Sequence, residues 1–310
     1  MSKVLLNLSI FLLFFLPLFG TEPIIPIPEK IEYNRSKALL GKRLFVDPNL
    51  SKDKSVACVN CHNFESGADT LDKSIGVNGA RGNMNSPTVF NSVYNFRQMW
   101  NGAVKTLEEQ VFLPLHNPKE MGMEDEKLLK YLRSQAIYQK LFHKIYKRKP
   151  NLKDMADAIA EFEKALITPN SPFDRYLKKE HNLSPKEEAG YLLFKKFGCI
   201  TCHNGINIGG NSYQKFGSIR SFKRCEGVSD LYAITSNPAD KNVFKVPTLR
   251  NIALSAPYFH HGKTKTLKEA IKIMAVHNLG FKLKEEEIEK IEAFLKTLTG
   301  QKPLILKEGL

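Results

Sequence analysis

The segment Cys58-Val-Asn-Cys61-His62 recurs as Cys199-Ile-Thr-Cys202-His203, and a chain that holds this pattern twice has little freedom in what it folds around. Two cysteines two residues apart, followed directly by histidine, form the attachment pattern of a c-type haem. Each thiol adds across a vinyl group to give a thioether, and the tethered ring then lies where the next imidazole reaches the iron. Cys58, Cys61, Cys199 and Cys202 are therefore the expected attachment points of two haem c groups, with His62 and His203 as iron ligands. One zinc shared by both pairs would need them about 15 to 20 residues apart, far closer than Cys61 and Cys199 stand. A dithiol redox pair would need a βαβ setting, which the flanking sequence does not offer.

At 310 residues, with 42% hydrophobic and 10% aromatic content, the chain has room for two domains with cores of their own. Residues 1–20 are different material: Lys3 precedes an apolar run from Val4 to Phe19, broken only by Asn7, Ser9 and Pro17. That is the pattern of a secretory signal peptide. The run is also near the lower limit for a membrane anchor, and Leu18-Phe19-Gly20 is a poor small-x-small cleavage site. Export to the periplasm is the expectation, and it suits thioether attachment outside the cytoplasm. The net charge of +14 is that of solvated Lys/Glu-rich helices, or of a surface that steers an acidic partner. No basic patch with interleaved aromatics suggests nucleic acid.

Residues 21–31 are proline-rich and predict an extended strap. Ser36 is placed to cap a helix running to Phe45, and Asp47-Pro48-Asn49 to turn the chain. The first cysteine motif is expected on a loop. A Gly- and Asn-rich stretch from Gly67 to Asn95 follows, a length of loop that is usually functional or disordered. Helical periodicity resumes near Thr106 and is clear over 126–147 and 152–166. Thr168-Pro169-Asn170-Ser171-Pro172 is the best break, so the expected domains are 21–168 and 169–310. Beyond it, Ser184-Pro185-Lys186-Glu187 is a capping box that opens a helix, and Gly198 stops that helix directly before Cys199. Thr266 and Glu269 make a second box, ahead of a helix that carries Met274. A last helix over 284–299 puts Ile288, Ile291, Leu295 and Leu298 on one face. The expected fold is mainly α: two cytochrome c-like domains, each with one covalent haem, joined by long loops.

From about Ile31 to Gly300 the chain resembles the bacterial dihaem cytochrome c peroxidases. The resemblance rests on Ser74-Ile75-Gly76, Asn85-Ser86-Pro87-Thr88-Val89, Trp100-Asn101-Gly102, Glu120-Met121, Val246 to Ile252 and Pro257-Tyr258-Phe259-His260, in order around the two motifs. It implies that hydrogen peroxide meets the iron held by His62. The haem held by His203 would take Met274 as its sixth ligand and receive electrons from a small c-type cytochrome or copper protein. A thioether in that place stabilises ferrous iron. Trp100 would lie between the haems, Glu120 would move the proton that heterolysis of the peroxide bond requires, and Gln110 would supply a neighbouring amide. Asn85, with the carbonyls of Ser255 and Pro257, would hold calcium, whose preference for oxygen suits them. His260 would be structural or contact a propionate, and the assembly would be a homodimer.

Two positions depart from the pattern. A histidine is expected after Gly76, where it caps the peroxidatic iron of the resting enzyme, and this chain has Val77. An isopropyl group has no lone pair to give. The expectation is an enzyme that needs no reductive activation; a cap from Met84, Asn78 or His116 is the alternative. Ala103 stands where an arginine is frequent, and Cys225 is left over once four thiols are used. A non-enzymatic electron carrier and a dihaem oxidase acting on a protein substrate are the competing functions. The first sits poorly with Val77, and the second uses tyrosine where Met274 stands.

Overall fold

The computed structural model describes residues 22–309, so the leader predicted over 1–20 lies outside the described residues. In the first half, α1 (Arg35–Phe45) leads to the short α2 (Cys58–Cys61). After a long irregular stretch come α3 (Leu107–His116), α4 (Asp125–Ser134), α5 (Ala136–Tyr146) and α6 (Leu152–Lys164). In the second half, α7 (Pro172–Leu177) and α8 (Pro185–Lys196) precede the second motif. A hairpin of β1 (Tyr213–Lys215) and β2 (Val243–Lys245), with α9 (Tyr232–Thr235) between its strands, pairs Tyr213 with Lys245 in antiparallel register. Helices α10 (Leu267–Met274) and α11 (Glu285–Lys296) come last.

Local chemistry accounts for most boundaries and corrects three. The N-cap of α1 is Asn34, whose Oδ1 accepts the Lys37 N–H at 3.1 Å, so Ser36 lies inside the first turn rather than before it. The first cysteine motif is one helical turn, not a loop; Asn60 Oδ1 accepts the Ala57 N–H at 2.7 Å and fixes its start. The helix expected over 126–147 is two, separated at Gln135, which is extended at φ −89° and ψ 117°. No glycine or proline marks that break. The bend lets Leu128 and Leu132 of α4 enter the same core as Tyr138 and Phe142 of α5.

The two halves repeat one packing device. A Cβ on Gly41 of α1 would overlap the Ala158 carbonyl of α6, and a Cβ on Gly190 of α8 would overlap the Lys290 carbonyl of α11. Each glycine lets two helix backbones approach closely. Four residues on from each, Phe45 and Phe194 meet Phe162 and Phe294, in both pairs at 5.2 Å between ring centroids. These four rings are almost wholly buried, and burial of a phenylalanine stabilises by about 2 kcal/mol. One core gathers around Phe45 and Phe162, a second around Phe173 and Phe294.

The chain ends cross between the cores. The strap packs Ile24 into the second core, and Gly205, just beyond the second motif, donates its N–H to the Pro23 carbonyl at 2.8 Å. At the other end Ile305 lies in the first core, and the Lys42 ammonium donates to the carbonyls of Ile305, Leu306 and Glu308. Arg250 holds the strap from below: Nη1 donates to Asp174 Oδ1 at 2.6 Å, Nη2 to the Ile25 carbonyl at 2.9 Å and Nε to the Ile206 carbonyl at 3.0 Å. Both charged side chains are fully buried. Such a pair survives burial because each hydrogen-bonding direction has a partner.

Candidate active site

Helix α8 ends at Phe197 and the chain passes into a 3-10 turn over Cys199–Thr201. Cys199, Cys202 and His203 thereby face a cavity of about 230 Å³ whose other walls include Leu267, Ile271 and Leu295. His203 Nδ1 lies 3.3 Å from the Ile208 carbonyl, so it carries the proton and leaves Nε2 bare. Burial lowers the imidazole to about 4, so it is neutral at physiological pH. Met274, the last residue of α10, is half-buried on the same cavity. Attachment thiols, a neutral imidazole and a thioether around an apolar space fit a haem c.

The first motif is more tightly enclosed. Burial pushes the Cys58 thiol up to about 12 and the Cys199 thiol up to about 11, so neither is a thiolate at neutral pH. The two cysteine pairs sit against different cores and do not share a metal. His62 lies 6.4 Å from the Phe45 ring, and its buried Nδ1 has no hydrogen-bond partner among the described residues.

Val77 is buried, and its N–H donates to the Glu120 carbonyl at 2.8 Å. The loop is pinned on its outer side by Asp53 Oδ2, which accepts the Asn78 N–H at 2.7 Å. Glu120 Oε1 accepts from Asn117 Nδ2 at 2.8 Å, and burial pushes its carboxyl above the usual range. Glu120 is also near the first motif: burial lifts the Cys61 thiol to about 11, with the charges of Asp69 and Glu120 adding. Gln110 lies half-buried on α3, where Pro114 has no N–H to offer its carbonyl. Of the alternative caps, His116 is turned outward to Asp125 at 2.7 Å, and Met84 packs in a cluster with Trp100 and Cys225. Asn78 gives its backbone to Asp53.

Trp100 Nε1 donates to the Asn85 carbonyl at 2.8 Å. Asn85 Nδ2 donates to the Leu71 carbonyl at 2.8 Å, and its Oδ1 accepts no hydrogen bond among the described residues. Trp100, Asn85, Ser255 and Pro257 all line the cavity that His203 and Met274 face. His260 meets the Trp100 ring edge-on at 6.2 Å and stacks on Phe244 at 4.2 Å; burial holds it neutral, at about 3. The structure thus lines one cavity with the second motif, Met274, Trp100, Asn85, Ser255 and Pro257, and sets Glu120, with Val77 hydrogen-bonded to its carbonyl, near Cys61 of the first motif. Sequence reasoning missed Asn117, Asp174 and Lys245. Asn117 alone left a signal, standing three residues before Glu120 at a helix end.

Two CxxCH turns, each against its own glycine-crossed helix pair, define a protein that carries two c-type haems. Residues 35–182 match the family described as di-haem cytochrome c peroxidase, and residues 187–299 match cytochrome c. The chain is 43% identical over 287 residues to the cytochrome c551 peroxidase of Nitrosomonas europaea, across 92% of this chain and 86% of that protein. It is 41% identical to the cytochrome c peroxidase Ccp of Escherichia coli, across 92% of this chain and 62% of that one. The crystal structure of a MauG-like protein associated with microbial copper homeostasis superposes with a TM-score of 0.81 at 28% identity, covering 92% of this chain and 95% of that chain. The chain belongs to the di-haem cytochrome c peroxidase family.

Proposed function

We propose that the protein reduces hydrogen peroxide to water in the periplasm, with electrons drawn one at a time from a small c-type cytochrome or copper protein. The observation that carries this reading is the unequal environment of the two histidines. Met274 faces the cavity of His203, while buried Val77 stands with Glu120 by the first motif. The haems, when bound, supply the one-electron redox chemistry. Glu120 takes the proton from one peroxide oxygen and returns it to the departing oxygen, so that one peroxide, two protons and two electrons give two waters. Burial, which raises its pKa toward neutrality, suits it to both halves of that transfer. Asn117 holds one carboxylate oxygen and leaves the other for the substrate. The Gln110 amide orients the peroxide. Trp100 lies on the path between the two centres, and Asn85, Ser255 and Pro257 hold a calcium that stiffens it.

Val77 has no atom that could ligate a metal, so a haem held at His62 would leave room for peroxide in the fully oxidised protein, and reductive activation would not be needed. The domains divide near residue 168, and the working unit is a homodimer. An EPR spectrum of the oxidised protein tests the central point, with a high-spin ferric signal expected. Two low-spin signals, with turnover only after half-reduction, overturn it. Steady-state oxidation of a reduced cytochrome by peroxide separates this function from a simple electron carrier and from an oxidase of protein side chains, neither of which shows it.

A further inference from the structure

The cavity shared by His203, Met274 and Trp100 contains a charge that no protein group balances. Lys245 is 6% exposed, and its ammonium makes no hydrogen bond or ion pair among the described residues. Its backbone is fixed on both sides: the N–H donates to the Trp100 carbonyl at 2.8 Å, and the strand register sets it opposite Tyr213. The hairpin therefore fixes the point on the cavity wall from which the side chain extends. No aspartate or glutamate is among the residues that line this cavity. The other lining cation, Lys215, is exposed and solvated, and His260 is neutral. An isolated buried ammonium costs several kcal/mol unless an anion meets it.

Resting on the reading of this cavity as a haem c site, we propose that Lys245 binds a propionate carboxylate of the haem attached at Cys199 and Cys202, next to Trp100. A haem c keeps two carboxylates after thioether attachment, and a cavity with an apolar body and one buried cation on its wall matches that arrangement. Burial alone lowers the ammonium to about 8, with no carboxylate of the protein acting on it. The pairing makes Lys245 a positioning residue: it neutralises charge beside the iron and fixes the ring edge against the tryptophan.

The test is made on the mature holoprotein. Mass spectrometry first counts attached haems; fewer than two in the wild type sinks the cofactor reading itself and this assignment with it. With two attached, spectroelectrochemical titration and redox-difference infrared spectra are compared for the wild type, Lys245→Met and Lys245→Arg. Loss of the cation is expected to shift one haem to lower potential and to move a propionate carboxylate band. Arginine, which keeps the charge, should stay near the wild type in both. Should the methionine variant fail to mature, Lys245→Gln carries the same comparison. Unchanged potentials and unchanged carboxylate bands in a neutral variant with two haems overturn the assignment.

Discussion

The two halves of the molecule share a helix crossing and part company at what faces their histidines. In both, a glycine lets one helix touch the backbone of another, with a phenylalanine pair four residues on. Beyond that common frame, His203 has its Nδ1 3.3 Å from the Ile208 carbonyl and a methionine sharing its cavity, whereas the first motif has the Glu120 carboxylate acting on Cys61, with Val77 hydrogen-bonded to the Glu120 carbonyl. The frame secures folding in each half, and on the proposed reading the residues facing each ring decide whether its metal would be saturated or reactive. A duplicated fold can thus supply one closed and one open centre with few changes.

The strongest way to break the comparison is at the frame. Gly190→Val should force valine against the Lys290 carbonyl, which cannot move without the helix, at a cost of about 3 kcal/mol or more. Thermal unfolding and haem staining should show the loss, and Gly41→Val should do the same to the other half. Next in size is the acid: Glu120→Gln keeps the Asn117 contact and removes the proton carrier, so kcat/KM for peroxide should fall roughly 10²- to 10⁴-fold with haem content unchanged. Val77→His would make the halves more alike and, on the proposed reading, would close the first centre. Turnover started from fully oxidised enzyme should then drop roughly tenfold or more and recover after one-electron reduction.

A pH-dependent effect distinguishes two buried ionisable groups. Glu163, beside the first motif, is raised to about 8 by burial, with Glu108 adding, while Lys245, on the second cavity, is lowered to about 8 by burial. A carboxyl raised on folding binds its proton in the folded state after the unfolded chain has released it. Its contribution is therefore complete below the unfolded value of 4.5 and declines as pH rises toward about 8, at about 1 kcal/mol per pH unit. Denaturant titrations across that window should show a shallower decline in Glu163→Gln.

Local signals made much of this legible. The capping box at Ser184 and Glu187, the stop at Gly198 and the apolar face of α11 are set by neighbours in sequence, and the structure has each of them. The two motifs were legible for the same reason, whereas Met274 was singled out by the resemblance alone, and it lines the cavity of the second motif. What escaped depends on distant partners. Gln135 breaks a helix to suit a core, and Ser36 lost its expected role because Asn34 reached the Lys37 N–H first. Lys245 looks like any surface lysine until β2 pairs with β1 and Trp100 takes its N–H.

The crossing of the chain ends has a consequence for anyone who would take the protein apart. Residues near 24 are needed by the core built from residues 173–298, and Ile305 by the core built from residues 38–166. A cut at the interdomain break would give two fragments, each missing a staple carried by the other. During synthesis the earliest-made stretch must wait for its binding groove, and the last-made stretch returns to a body already formed. The two haem modules are thus laced together like the ends of a belt, and neither is a detachable cassette.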